Sequence, residues 1–202
     1  MTPVTIGIVG GSASGKSTYC KNLPAHLSDY RVASVKMDDY FRDPLPQMTS
    51  PVTGITDNDY NHPNSVDHEK LLAKIKELQE CGEYDIILVE GTLLFCYEDI
   101  RPLFDLKIFI DLDSDVRMFR RVKRNIDHFK GHEKLGDFNW QAEYYLNYAK
   151  HREQEYALTT KVYADVILNG YKLDDHATHV VAAWVMGKCR GKPADETIHH
   201  NN

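Results

Sequence analysis

Apolar residues recur along this chain in two rhythms: short unbroken runs, and positions repeated every three or four residues. Val4–Val9, Arg31–Met37, Asp85–Glu90, Leu106–Leu112 and Ala164–Leu168 are runs of the first kind, and each predicts a strand. The run Ile86-Ile87-Leu88-Val89 has no polar alternation, so its strand is expected to be central and covered on both faces. Helical spacing predicts a helix over Ser17–Leu27 that Pro24 ends or kinks early, and a second carrying Leu71, Leu72, Ile75 and Leu78. Asn64 and Ser65 offer caps for that second helix, and Cys81-Gly82 closes it. Further helices follow Asp113-Ser114-Asp115, carry Tyr144, Tyr145, Tyr148 and Tyr156 as packing aromatics, and span His176–Met186 with Val180, Val181, Trp184 and Val185 on the buried side. Strands alternating with helices, without internal repeats, predict an α/β fold: a parallel sheet of about five strands with helices on both faces.

Two stretches break the rhythm. Residues 41–64 hold Pro44, Pro46, Pro51, Gly54 and Pro63 without periodicity, and loops of this length in a compact domain serve as functional covers. They are expected to form a substrate-side flap. Residues 125–140, polar around Gly131 and Gly136, are expected to form a mobile lid. The chain of 202 residues fits one domain over 1–190, with 191–202, including His199-His200, expected to be a disordered tail.

A formal charge of −6 with no basic tail argues against a nucleic-acid partner. Cys20, Cys81, Cys96 and Cys189 form no C-x-x-C pair and read as reduced thiols. Apolar runs fall far short of the roughly 20 residues of a membrane span. The first strand begins almost at once, leaving no room for a targeting peptide. A cytoplasmic protein without membrane contact is the expectation.

The chemistry concentrates at the end of the first strand. Gly10-Gly11-Ser12-Ala13-Ser14-Gly15-Lys16-Ser17 matches G-x-x-x-x-G-K-[ST], the phosphate-binding loop of the P-loop NTPase fold. Glycines permit backbone angles that turn successive N–H groups toward a phosphate, and the following helix adds the positive end of its dipole. Gly11 to Thr18 are therefore expected to bind a nucleoside triphosphate, with Lys16 on the β- and γ-phosphates and the Ser17 hydroxyl on Mg²⁺. The second strand delivers Asp38 and Asp39 at its C-terminal end, where open α/β sheets bind ligands. Glu90 at the tip of the third strand is expected on the metal, with Asp38 beside it. Arg117, Arg120, Arg121 and Arg124 share one helix face, and Arg121 and Arg124 are the expected phosphate ligands.

The GTPase patterns N-K-x-D and D-x-x-G are absent, and a small domain with an acid after its second strand suits phosphoryl transfer to a small acceptor. The segments GGSASGKS, MDDYFRDP, YNHP, ILVEGTLLF, DLKIFIDLDSDVRMFRRVKRNI and KVYADVIL together resemble the uridine kinase family of the phosphoribulokinase and uridine kinase superfamily, over roughly Val4–Gly170. The resemblance implies that ATP phosphorylates the 5′-hydroxyl of a nucleoside, uridine or cytidine, with Mg²⁺. It further implies Asp38 as the catalytic aspartate working with Lys16, Phe41, Arg42, Asn61 and His62 on the acceptor side, and assembly of the chain into a homo-oligomer. The chain has Tyr60-Asn61-His62-Pro63 where the family has Phe-Asp-His-Pro, and Cys81-Gly82-Glu83-Tyr84 where a pyrimidine-binding hairpin stands. Nicotinamide riboside kinases resemble it in DDYF and in the LLF after Glu90-Gly91. A nucleotide-binding regulatory module without an acceptor site is the alternative from another class.

Overall fold

The computed structural model of the protein describes residues 2–173 and 175–191. In chain order it contains β1 (Val4–Val9), α1 (Lys16–Asn22), β2 (Val32–Lys36), β3 (Gln47–Thr49), β4 (Thr56–Asn58), α2 (His68–Glu80), β5 (Ile86–Glu90), β6 (Leu106–Asp111) and α3 (Ser114–His128). α4 (Phe138–Tyr144), α5 (Lys150–Arg152), β7 (Val166–Asn169) and α6 (Asp175–Arg190) complete it. Wide π turns at Tyr145–Ala149 and Glu153–Ala157, and a final 3₁₀ stretch at Leu158–Tyr163, join α4 and α5 into one helical run over 138–163.

Five parallel strands form the main sheet in the order β2-β5-β1-β6-β7. Every residue of β1 and β5 is buried, because helices cover both faces. Successive side chains of β5 go to opposite sides: Ile87 and Val89 pack with Leu71 and Ile75 of α2, while Ile86 and Leu88 pack with Tyr19 of α1 and Val181 of α6. Each such fully buried aliphatic side chain stabilises the fold by about 1.5–3 kcal/mol. The unbroken apolar runs thus reflect two cores sharing one sheet.

Several expectations change in detail. Pro24 stops α1 early, and the chain continues as a 3₁₀ turn over Leu23–His26. Residues 41–64 are not structureless, since β3 and β4 pair there as an antiparallel hairpin. Its strands are three residues each, too short for an alternating pattern to stand out. The cap of α2 is Asp67, which accepts the Lys70 N–H at 3.3 Å, whereas Asn64 and Ser65 lie in a separate turn. Val66, wholly buried and bridged to Phe41, puts Asp67 at the helix entry. In α6 the buried stripe is Thr178, Val181, Ala182 and Val185, and Val180 is 72% exposed. Stripe positions recur at three- and four-residue steps, and Val180 falls off that line.

The segment expected as a lid is helical at both ends, where α3 runs to His128 and α4 starts at Phe138. From residue 192 the expected tail, with His199 and His200, lies outside the described residues. Among the described residues no helix is long and apolar enough to cross a membrane.

Candidate active site

The phosphate loop hangs between β1 and α1. Gly10 and Gly15 have φ of +153° and +110°, and Ala13, at +63°, holds a left-handed conformation that costs a side-chain-bearing residue about 1–2 kcal/mol. Alternation of this kind creates a concave nest of backbone N–H groups. Lys16 is only 8% exposed, and its ammonium donates to the carbonyls of Gly10 at 2.9 Å and Gly11 at 3.1 Å. Burial lowers its pKa below the usual lysine range, while the carboxylates of Glu90, Asp38 and Glu153 oppose that shift.

The sheet brings the acids to this loop. β5 lies beside β1 with Glu90 level with Ile8, so the carboxylate rises next to the first turn of α1. There the Ser17 hydroxyl donates to Glu90 Oε2 at 3.0 Å. β2 borders β5 on the other side, and the turn at Met37–Tyr40 after it presents Asp38. Lys16, Ser17, Asp38, Glu90, Thr92, Arg120 and Arg124 all line one cavity of about 460 Å³ with loop residues Ser12, Ala13 and Gly15 and with Thr18 of α1. Residues from four separate stretches of the chain therefore converge on one space.

The arginine face of α3 divides. Arg124 lines the cavity, with its pKa lowered by partial desolvation and by Arg121, and raised by Asp38. Arg120 joins it there and donates to the Gly170 carbonyl at 3.1 Å. Arg121 instead lies over the rings of Tyr144 and Tyr145, 5.7 and 5.9 Å from their centroids, and is not among the cavity residues. Arg117 is 1% exposed and pairs with the equally buried Glu153. Its guanidinium lies against the loop, where a Cβ on Gly11 would collide with Arg117 Nη1. Glu153 also accepts the Ser12 N–H at 2.7 Å. Charge spacing put the four arginines on one face, but packing against the 138–163 run separates their roles. Thr92 and Arg120 were legible as neighbours of Glu90 and Arg121; Glu153, inside the charged stretch His151-Arg152-Glu153-Gln154-Glu155, carried no signal.

The acceptor-side expectations spread over more space. Phe41 and Arg42 line a neighbouring cavity of about 740 Å³ with Asp39 and Lys70, and Arg42 Nε donates to the Val66 carbonyl at 3.2 Å. Asn61 is 7% exposed, and its Nδ2 has no acceptor among the described residues. His62 meets Tyr156 edge to face at 5.0 Å, and its Nδ1 accepts the Asn64 N–H.

Comparison with known proteins gives the family. The model of the phosphoribulokinase / uridine kinase family matches residues 82–176. A uridine kinase of Clostridium novyi is 31% identical over 190 residues, covering 83% of this chain and 88% of that one. The chain belongs to the phosphoribulokinase/uridine kinase family. Uridine kinase-like protein 3 of Arabidopsis thaliana is 31% identical over 191 residues, 82% of this chain, which spans only 39% of that relative's length. Among solved structures, that of a possible uridine kinase from Bacillus stearothermophilus superposes with a TM-score of 0.52 at 18% identity, covering 83% of this chain and 89% of that one. Its likeness supports the fold.

In a member of this family the loop would receive the triphosphate of ATP, and the residues present fit that group. The nest at Gly10–Gly15, the lysine and two arginines offer donors to phosphate. Among the described residues no three His, Cys, Asp or Glu side chains gather into a protein-only metal site. Ser17 and Glu90 make the smaller set that suits Mg²⁺, which is held by one or two protein oxygens together with phosphates and water.

Proposed function

We propose that this protein is an ATP-dependent kinase that phosphorylates the 5′-hydroxyl of a nucleoside, uridine or cytidine first, in the cytoplasm. The observation that carries the reading is the single cavity in which Lys16, Ser17 and Glu90 stand with Asp38. MgATP supplies the transferable phosphoryl group and the metal charge that balances it. Ser17 and Glu90 would hold the metal. Asp38 accepts a hydrogen bond from the acceptor hydroxyl, orients it, and takes its proton as the phosphoryl group transfers. Lys16, Arg120 and Arg124 hold the phosphate oxygens and offset the charge that develops there. The 125–140 segment closes over the site and keeps water from competing as acceptor.

A nicotinamide riboside acceptor is the second reading. It is favoured by the short passage from α2 to β5, where Cys81 caps the helix and Gly82, at φ +72°, turns the chain directly into the strand. Mass spectrometry of products from uridine, cytidine and nicotinamide riboside, each with MgATP, tests both. A gain of one phosphate on uridine or cytidine supports the first reading, and gain on nicotinamide riboside alone supports the second. ATP binding without any phosphorylated product overturns the kinase assignment in favour of a regulatory module.

A further inference from the structure

Arg152 and Glu153 are consecutive residues whose side chains hold different parts of the molecule. Arg152 Nε donates to Asp59 Oδ2 at 2.7 Å, and Asp59, just past the β3–β4 hairpin, is 2% exposed. Tyr144 and Tyr148 donate to the carbonyls of Asn58 at 2.9 Å and Ile55 at 3.1 Å. One line of the 138–163 run, at four-residue intervals, thus holds the hairpin. In a regular α-helix, positions eight apart drift by roughly 80° around the axis. The wide turn at Tyr145–Ala149, which lies between them, reduces that drift and keeps the three side chains aligned.

The adjoining line holds the phosphate loop. Glu153 Oε1 accepts the Ser12 N–H at 2.7 Å, and Oε2 takes the Arg117 guanidinium and the Tyr145 hydroxyl, the latter at 3.4 Å. The Arg117 guanidinium in turn donates through Nε to the Leu112 carbonyl at 3.0 Å and covers Gly11. A loop with left-handed turns and few side chains has little of its own to hold its shape. The Glu153 carboxylate ties one of its amides to a helix. We propose that Glu153 is a positioning residue for the phosphate loop and that, through its neighbour Arg152, the same helix links the loop's geometry to the seating of the hairpin.

This inference rests on the kinase reading for its consequence, but not for its geometry. Replacing only one of Arg117 and Glu153 would strand a buried charge and threaten the fold, so both are replaced together. Arg117→Met with Glu153→Gln removes the ion pair and keeps an oxygen for the Ser12 N–H; Arg117→Met with Glu153→Met removes the pair and the acceptor. In calorimetric titration with MgATP, the glutamine variant is expected within about threefold of the wild-type dissociation constant and the methionine variant about tenfold weaker. Asp59→Asn, outside the cavity, is expected to weaken MgATP by about fivefold through Arg152. Equal affinity in the two double variants overturns the role of Glu153, and unchanged affinity in Asp59→Asn overturns the link to the hairpin. A wild-type chain that binds no MgATP sinks the kinase reading instead. Hydrogen exchange over residues 10–15 and 47–58 then still decides: faster exchange of the loop in the methionine variant than in the glutamine one, and in Asp59→Asn than in wild type, upholds the inference, and equal exchange overturns it.

Discussion

Ser17 Oγ and Glu90 Oε2 lie 3.0 Å apart although 73 residues separate them in the chain. The contact exists because β1 and β5 are parallel neighbours in register, Ile8 beside Glu90, so the first turn of α1 lies over the tip of β5. A hydroxyl and a carboxylate so placed can share a cation with phosphate oxygens. Glu90→Gln removes the charge and keeps the shape. We expect it to raise the Mg²⁺ concentration for half-maximal activity about tenfold, with little change in thermal stability because one buried carboxylate is lost. A Mg²⁺ titration that overlays the wild type removes Glu90 from the metal site.

Asp38 is exposed at the cavity wall, so its substitution should leave the core untouched. Asp38→Asn should lower kcat by about 10²–10⁴-fold, the range for losing a general base. The MgATP dissociation constant, measured by titration, should stay within about threefold of wild type. Full turnover in this variant would leave the acceptor hydroxyl to be activated by some other group.

Lys16 sets a pH dependence of stability. Its folded pKa lies below the unfolded value of 10.5, so over the interval between the two the unfolded chain binds more protons. Stability attributable to Lys16 therefore rises with pH through that interval. It is lowest below the folded pKa, where the buried ammonium is charged. Comparing denaturant midpoints of wild type and Lys16→Met from neutral pH upward cancels the titration of other groups. The difference should move in favour of wild type as pH rises, and a difference independent of pH would mean that the ammonium is not desolvated.

Gly11 is not a fixed position of the loop motif, yet the Arg117 guanidinium leaves no room for a Cβ there. Gly11→Ala should destabilise the fold by about 1–3 kcal/mol through overpacking and weaken ATP binding with it. Gly187, inside α6, is the control, because among the described residues nothing beyond its own helix backbone and chain neighbours lies within 4 Å of the place a Cβ would take. There Gly→Ala should stabilise by about 0.5–1 kcal/mol through helix propensity and backbone entropy. Equal melting temperatures for Gly11→Ala and wild type would show that Arg117 moves aside freely.

Short-range pattern carried much of this. The sheet strands, the phosphate loop, Asp38 after β2 and Glu90 at the end of β5 could all be read in the sequence, because a strand's burial and a loop's glycines leave a trace within a few residues. The hairpin at Gln47–Thr49 and Thr56–Asn58 could not, since three residues are too few for a period and its anchors, Tyr144, Tyr148 and Arg152, lie some ninety residues later. Nor did α3 disclose which arginine would do what. A helix face shows only that Arg117, Arg120, Arg121 and Arg124 point broadly the same way.

The amino-acid sequence alone determined the order of the main-sheet strands and the helices between them, the phosphate loop, the acid after β2 and the acid at the end of β5. Tertiary structure decided that Arg117 is buried against Glu153, that Arg121 lies on tyrosine rings, and that Arg120 and Arg124 reach the cavity. The physical reason is that backbone preference is local, whereas the fate of a long charged side chain depends on the partner that packs against it. For α3 that partner is a helix beginning ten residues after it ends.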